Sequence, residues 1–335
     1  MQKSLLLLTL VFAFALTVIS QTAPPLELAR TIPMPGITGR FDSFGVDVKG
    51  RRLFVTPLDH KTVEVYDLKT GNLIHSIPGI EKAHAVLYRG DLDEIFVTDG
   101  PAGSLKIFKG DKYEFVRAVE PLAAPDGVLY DQATHYLYII TGGENAKLDY
   151  SLIAIVDTDK AKNLGDIRIE GGTMEEMRLE KSTARLFVVN REKNRIEVID
   201  RKKRMIITSW PVTLGKVPVG LAIDESSHRL FVGCRSEVMV VVDSASGKEI
   251  TSVPISKGID GVAFDPATKR IYSEANTGAI DVYEEVDADH YRSLGTTPIG
   301  MPAKPGLLVP ELKRYFVAAP NHDNADAAIL EYKTQ

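Results

Sequence analysis

The chain has 335 residues, 44% hydrophobic and 25% charged, enough apolar content for a sizeable core at an ordinary charge density. Its formal net charge of −5 and pI near 5.9 give no global basic field, which disfavours nucleic acid as a partner. The single cysteine, Cys234, excludes an internal disulfide and an N-terminal lipid anchor on cysteine.

The first element is an apolar run from Leu5 to Ile19 behind Lys3, ending at Val18-Ile19-Ser20. A short apolar stretch with one positive charge before it and smaller residues at its end has the layout of a secretory signal peptide, cut after Ser20. The run is short for a membrane span, although an uncleaved anchor is the alternative. Cleavage would remove Lys3 and take the formal charge from −5 to −6. The mature chain, 21–335, is then expected in the periplasm or secreted, with no membrane span.

From there a short aliphatic–aromatic element recurs. It reads Leu53-Phe54-Val55, Ile95-Phe96-Val97, Leu137-Tyr138-Ile139, Leu186-Phe187-Val188, Leu230-Phe231-Val232, Ile271-Tyr272-Ser273 and Tyr315-Phe316-Val317. The aromatics stand 42, 42, 49, 44, 41 and 44 residues apart. Seven copies at this period match a four-stranded blade of roughly 40–45 residues. Ahead of each aromatic lies a short strand, often opening with Gly, as in Gly127-Val128-Leu129-Tyr130 and Gly261-Val262-Ala263-Phe264. A third strand follows, alternating as in Val63–Asp67 or wholly apolar as in Val238–Val242, and ends at Asp before a tight turn. Asp67-Leu68-Lys69-Thr70-Gly71 and Asp243-Ser244-Ala245-Ser246-Gly247 are near-copies, with Asp to bond the turn amides and Gly for positive φ. A fourth strand closes the unit, and its terminal Pro, as in Ile250–Pro254, suits an outer edge.

The seventh copy stops at its third strand, Ala328–Tyr332, while Leu28-Ala29-Arg30-Thr31-Ile32-Pro33 matches the fourth. The expected fold is all-β: one seven-bladed β-propeller of four-stranded antiparallel blades, the last blade closed by the N-terminal strand. The spacing of 49 marks an insertion in the third blade around Thr141–Ser151.

Phe187-Val188-Val189-Asn190 followed by Ile196-Glu197-Val198-Ile199-Asp200, and Phe54-Val55-Thr56 with Val63–Asp67, resemble the YVTN-type β-propeller repeat. The resemblance covers the mature chain and implies an exported or surface-associated bacterial propeller. The seventh blade departs from it at Ala318-Ala319-Pro320-Asn321. The family's motif describes blade packing and carries no catalytic residue, so the fold does not imply an activity.

A site is expected where blade loops converge on the channel. The residue before the recurring Gly slot, with a shorter turn allowed in the first copy, is Phe44, His84, Asp126, Glu175, Val219, Asp260 and Lys304. Five of these carry titratable groups, where a core would be uniformly apolar. Loops joining second and third strands add an outer ring of Asp59, His60, Asp99, Glu144, Arg191, Arg235, Asn276, His322 and Asp323. Together they offer a polar mouth for a small ligand or a cell-envelope protein, with the chain acting as a monomer. No cofactor follows from a motif. A divalent cation on His84, Asp126, Glu175 and Asp260 is the alternative to a solvated mouth, and would make the protein a lactonase-like hydrolase or lyase with His84 or His322 as base.

Other features are structural. Asn321–Asp326 lacks the central Gly and distal Glu of a calcium loop. HExxH, GxxxxGK and GxSxG are absent. Arg201-Lys202-Lys203-Arg204 falls in a hairpin turn on the face opposite Arg191–Arg195, and Trp210 in an outer strand. Cys234 reads as a small buried hydrophobe.

Overall fold

A computed structural model describes residues 24–323 and 325–334. The signal-peptide reading of residues 1–20, and Asn324 in the His322 loop, lie outside the described residues. The strands form seven separate four-stranded antiparallel sheets, six of them in chain order from the innermost strand outward and the seventh completed on its outside by the first strand. This is a seven-bladed β-propeller. The innermost strands are Phe41–Asp47, Ala83–Arg89, Val128–Asp131, Met174–Leu179, Pro218–Asp224, Ile259–Asp265 and Gly306–Val309, in blades 1 to 7. In the last blade Glu27–Met34 pairs with Ala327–Lys333, so the N-terminal strand closes the ring as expected.

The repeating aromatics explain why the blades stack. Phe54, Phe96, Tyr138, Phe187, Phe231, Tyr272 and Phe316 are all 1% exposed or less. Each sits on the second strand and packs between its own blade and a neighbour, so the core is a ring of inter-blade clusters. Continuous apolar second strands are what burial on both faces requires. The outer strands carry the exposed apolar residues instead, such as Leu73 and Phe115.

Charged repeats hold the face opposite the mouth. Arg52 binds Asp47 at 2.9 Å, and Arg185 grips the fully buried Glu180 through two bonds of 2.7 Å. The turn aspartates act as their spacing implies: Asp67 Oδ1 accepts from Lys69 and Thr70, and Asp243 Oδ1 from Ala245 and Ser246. Arg201 leaves the basic run to pair with Asp131 and with two carbonyls, so part of that charge is spent inside the fold. Trp210 packs on Phe187, and a Cβ on Gly247 of the next blade would collide with its ring. Arg30 on the latch strand ties Glu331 of blade 7 to the Leu68 carbonyl of blade 1.

Candidate functional site

One regular feature aims side chains at the channel mouth. The aromatic of every blade pairs with the residue nine positions earlier on the innermost strand, from Gly45–Phe54 round to Leu307–Phe316. Three residues before that partner, blades 1, 2, 4, 5 and 6 each have a register shift, falling between Phe41/Phe44, Ala83/Val86, Met174/Met177, Pro218/Gly220 and Ile259/Gly261. A bulge bends the strand and re-aims the extra residue. In blades 1 and 2 a threonine on the second strand secures it: Thr56 Oγ1 accepts from Ser43 N and Thr98 Oγ1 from Ala85 N, both at 2.8 Å.

This register corrects the expectation for blade 1. The turn there is no shorter than elsewhere, so the residue equivalent to His84 and Asp126 is Asp42. Phe44 lies two positions further on and packs into the core, 8% exposed. The uniform spacing of twelve residues before each aromatic would have found Asp42 in the sequence.

The substitution of Asp42 for Phe44 makes the first cluster. His84 Nδ1 lies 2.7 Å from Asp42 Oδ2 and 3.6 Å from Asp126 Oδ1. One ligand atom from each of the three falls within 4.8 Å of the others. Burial pushes the His84 pKa down, but the hydrogen bond to Asp42 and the charges of Asp126 and Asp42 outweigh it and raise it overall. Asp126 meets channel water yet is surrounded by protein; this enclosure, with the Asp42 charge, raises its pKa. Asn145, from the blade 3 insertion, donates to Asp126 Oδ2 at 3.1 Å.

Glu175 and Asp260 do not join that cluster. Glu175 accepts from Arg191 at 3.0 Å, and Asp260 from Lys304 at 3.1 Å. The four residues expected to share one cation are thus divided: His84 and Asp126 stand with Asp42, and the other two carry their own cations. Burial still raises the Glu175 pKa against Arg191 and Arg235.

The outer ring is scattered. Arg191 reaches the mouth through Glu175. Arg235 is exposed and its charge acts on Glu175. Asp99 is 0% exposed, caps Glu81 N and Lys82 N, and binds Lys106, a structural role. His60 lines a separate groove of 460 Å³ beside the latch strand. Glu144 is exposed on a short 3₁₀ turn (Glu144–Ala146) whose next residue, Asn145, is the one that reaches Asp126. Asn276 packs on Gly258, where a Cβ would meet its Oδ1 at 2.6 Å. Asp59 packs likewise on Gly39, and His322 pairs with Asp323 on an exposed loop.

The mouth opens into a cavity of about 730 Å³ along the channel. Its walls carry six carboxyls, Asp42, Asp126, Glu175, Glu176, Asp260 and Glu274, against Arg178, Lys304 and the His84 imidazole. Glu176 and Glu274 were not anticipated. They occupy repeat positions where other blades have Gly, Ala, Ser or Pro, and Thr, Ile, Val, Gly or Ala, so misfit to the repeat was the available signal.

No family model and no curated protein matches the chain. Among solved structures 1744 chains match, so the fold alone cannot narrow the function. One is a chain of the "Crystal Structure of Mitotic Checkpoint Complex", at TM-score 0.77 and 13% identity over 99% of both chains. At that identity the likeness is one of fold. No helix among the described residues is long and apolar enough to cross a membrane.

Proposed function

We propose that this propeller is a binding scaffold, exported through residues 1–20, whose site is the mouth and bore of the central channel, and that its ligand is small and positively charged. The observation that carries this reading is the lining: six carboxyls face one 730 Å³ cavity with three basic groups among them. A cavity of that size suits a small molecule, and its charge excess attracts cations and repels anions. Rigid β-strands hold the groups, so binding needs little reorganisation. Export agrees with the resemblance to YVTN-type propellers.

The Asp42–His84–Asp126 cluster supports a second reading, a divalent cation held by one nitrogen and two carboxylate oxygens. The metal would displace the proton shared by His84 and Asp42, leave coordination positions open to the channel, and suit a metal-dependent hydrolase or lyase. Elemental analysis of residues 21–335, with thermal melts before and after chelator, separates the two. About one ion per chain and a melting temperature lowered by chelator would establish the metal reading. No ion and an unchanged melt would reject it and leave the organic-cation reading, which fails in turn if no cation binds.

A further inference from the structure

Deep in the channel two carboxyls break the blade repeat in complementary ways. Glu274 follows the aromatic of blade 6 by two residues, where the other blades have Thr56, Thr98, Ile140, Val189, Gly233 and Ala318. Glu176 of blade 4 stands in the slot held by Gly in blades 3, 5 and 6. A regular scaffold that departs from its own rule at two facing positions has a local reason to do so.

The surroundings show what that reason requires. Glu274 is opposite Gly261 in register and lies over Gly306 of blade 7. A Cβ on Gly306 would come within 2.0 Å of Glu274 Oε2, and one on Gly261 would stand 3.8 Å from Glu274 Oε2 and 3.5 Å from Glu176 Oε1. The two glycines therefore open a window through the inner strands by which Glu274 lines the cavity. Glu274 is only 1% exposed, and its Oε1 has no hydrogen-bond partner. Its Oε2 accepts a long hydrogen bond from the Tyr315 hydroxyl, 3.5 Å. Glu176 has committed Oε2 to Leu221 N at 2.8 Å and Arg178 at 2.9 Å, leaving Oε1 beside Gly261. An unsatisfied buried carboxyl oxygen is costly, and an unpaired carboxylate more so.

We propose that Glu176 and Glu274 form a subsite within the channel for the ammonium group of an organic ligand. The inference rests on the channel being the binding site and names the ligand's chemistry there. Two single oxygens offered from different blades match a compact ammonium centre with three N–H donors. A guanidinium favours both oxygens of one carboxylate, and Arg178 already holds Glu176. Calcium needs six to eight oxygens, and a borderline metal needs nitrogen or sulfur, neither of which the pair supplies. The ammonium would sit between Glu274 Oε2 and Glu176 Oε1, neutralise a carboxyl whose other oxygen is unpartnered, and relieve the repulsion among Glu176, Glu274 and Asp260.

The test is calorimetric titration of the full mature chain at pH 8 with n-butylammonium chloride, and with tetramethylammonium chloride at matched ionic strength. Tetramethylammonium carries the charge without an N–H. Saturable binding of butylammonium alone, weakened at least tenfold in Glu274→Gln and in Glu176→Gln, is the expected result. Glu274→Gln keeps the side-chain shape and decides the matter if Glu176→Gln does not fold. Equal binding by wild type and Glu274→Gln overturns the subsite. Butylammonium binding lost in Asp42→Asn but kept in Glu274→Gln also overturns it while leaving the channel-mouth reading intact. No binding of any cation by wild type overturns both. Stoichiometric calcium binding that disappears in Glu274→Gln would make the pair a metal site and overturn the ammonium assignment.

Discussion

Gly306 and Glu274 occupy one another's space: a single carbon added to the glycine would fall 2.0 Å from the Glu274 carboxylate and 2.5 Å from the Tyr315 hydroxyl. The glycine is required by a close approach, since its φ is not positive. Gly306→Ala should therefore destabilise the ring by about 1–3 kcal/mol through overpacking. Urea denaturation of Gly306→Ala alone and combined with Glu274→Ala tests the relationship. The penalty should shrink in the double variant, and two fully additive penalties would contradict the packing.

Asp42 and His84 give a pH signature. The folded-state pKa of His84 is raised, so the pair's stabilisation is complete below the unfolded-chain pKa of about 6.5 and is lost as pH rises through the folded-state value. Asp42→Asn should cost about 1–2 kcal/mol near pH 6, and that difference should diminish toward pH 9. Paired urea melts across this range check the sign; a difference that grows with pH would refute it.

Among the described residues Arg185 is the side-chain cation on Glu180, which is 0% exposed and also takes hydrogen bonds from Thr183 and Ser244. Arg185→Ala should cost about 3–5 kcal/mol, because it strands a buried carboxylate and also removes the tie to the Ser244 carbonyl of blade 5. Adding Glu180→Gln should recover part of the loss in the same chemical denaturation assay.

Cys234 is 0% exposed, and burial pushes its thiol up to about 12. It should be unreactive in the native protein, with labelling by an aromatic disulfide reagent following global unfolding in urea. Rapid labelling in buffer would show a local opening of blade 5 that its packing does not provide for.

The blades were legible because their determinants are local and repeated seven times. An aromatic flanked by aliphatics, a turn aspartate and a terminal proline each report one strand's environment. The latch was legible for the same reason, since Leu28–Pro33 has the pattern of the other outer strands. The site was less so. Asp42 was displaced by a gap that the uniform register does not contain. Glu175 and Asp260 were identified as mouth residues, but their pairing with Arg191 and Lys304 depends on how adjacent blades are set, which no single repeat records. His60 and Asp99 share a loop class with Arg191 yet face other ways: Asp99 turns inward to cap Glu81 N and Lys82 N, and His60 lines the groove beside the latch strand. Glu274 was hidden because the glycines that make room for it beside the cavity belong to two different strands, 45 residues apart in sequence.

The pairing of Glu27–Met34 with Ala327–Lys333 carries a consequence for the order of assembly. A chain made from its N-terminus presents the latch first and its partner last. Leu28 must then wait, with an unpaired edge, while some 300 residues are made before Tyr332 can meet it. Until that contact forms, the nascent propeller is an open arc with a bare strand edge at its final blade. Closure is thus a final, ring-wide event, and whatever keeps the early strand from pairing elsewhere protects the whole fold.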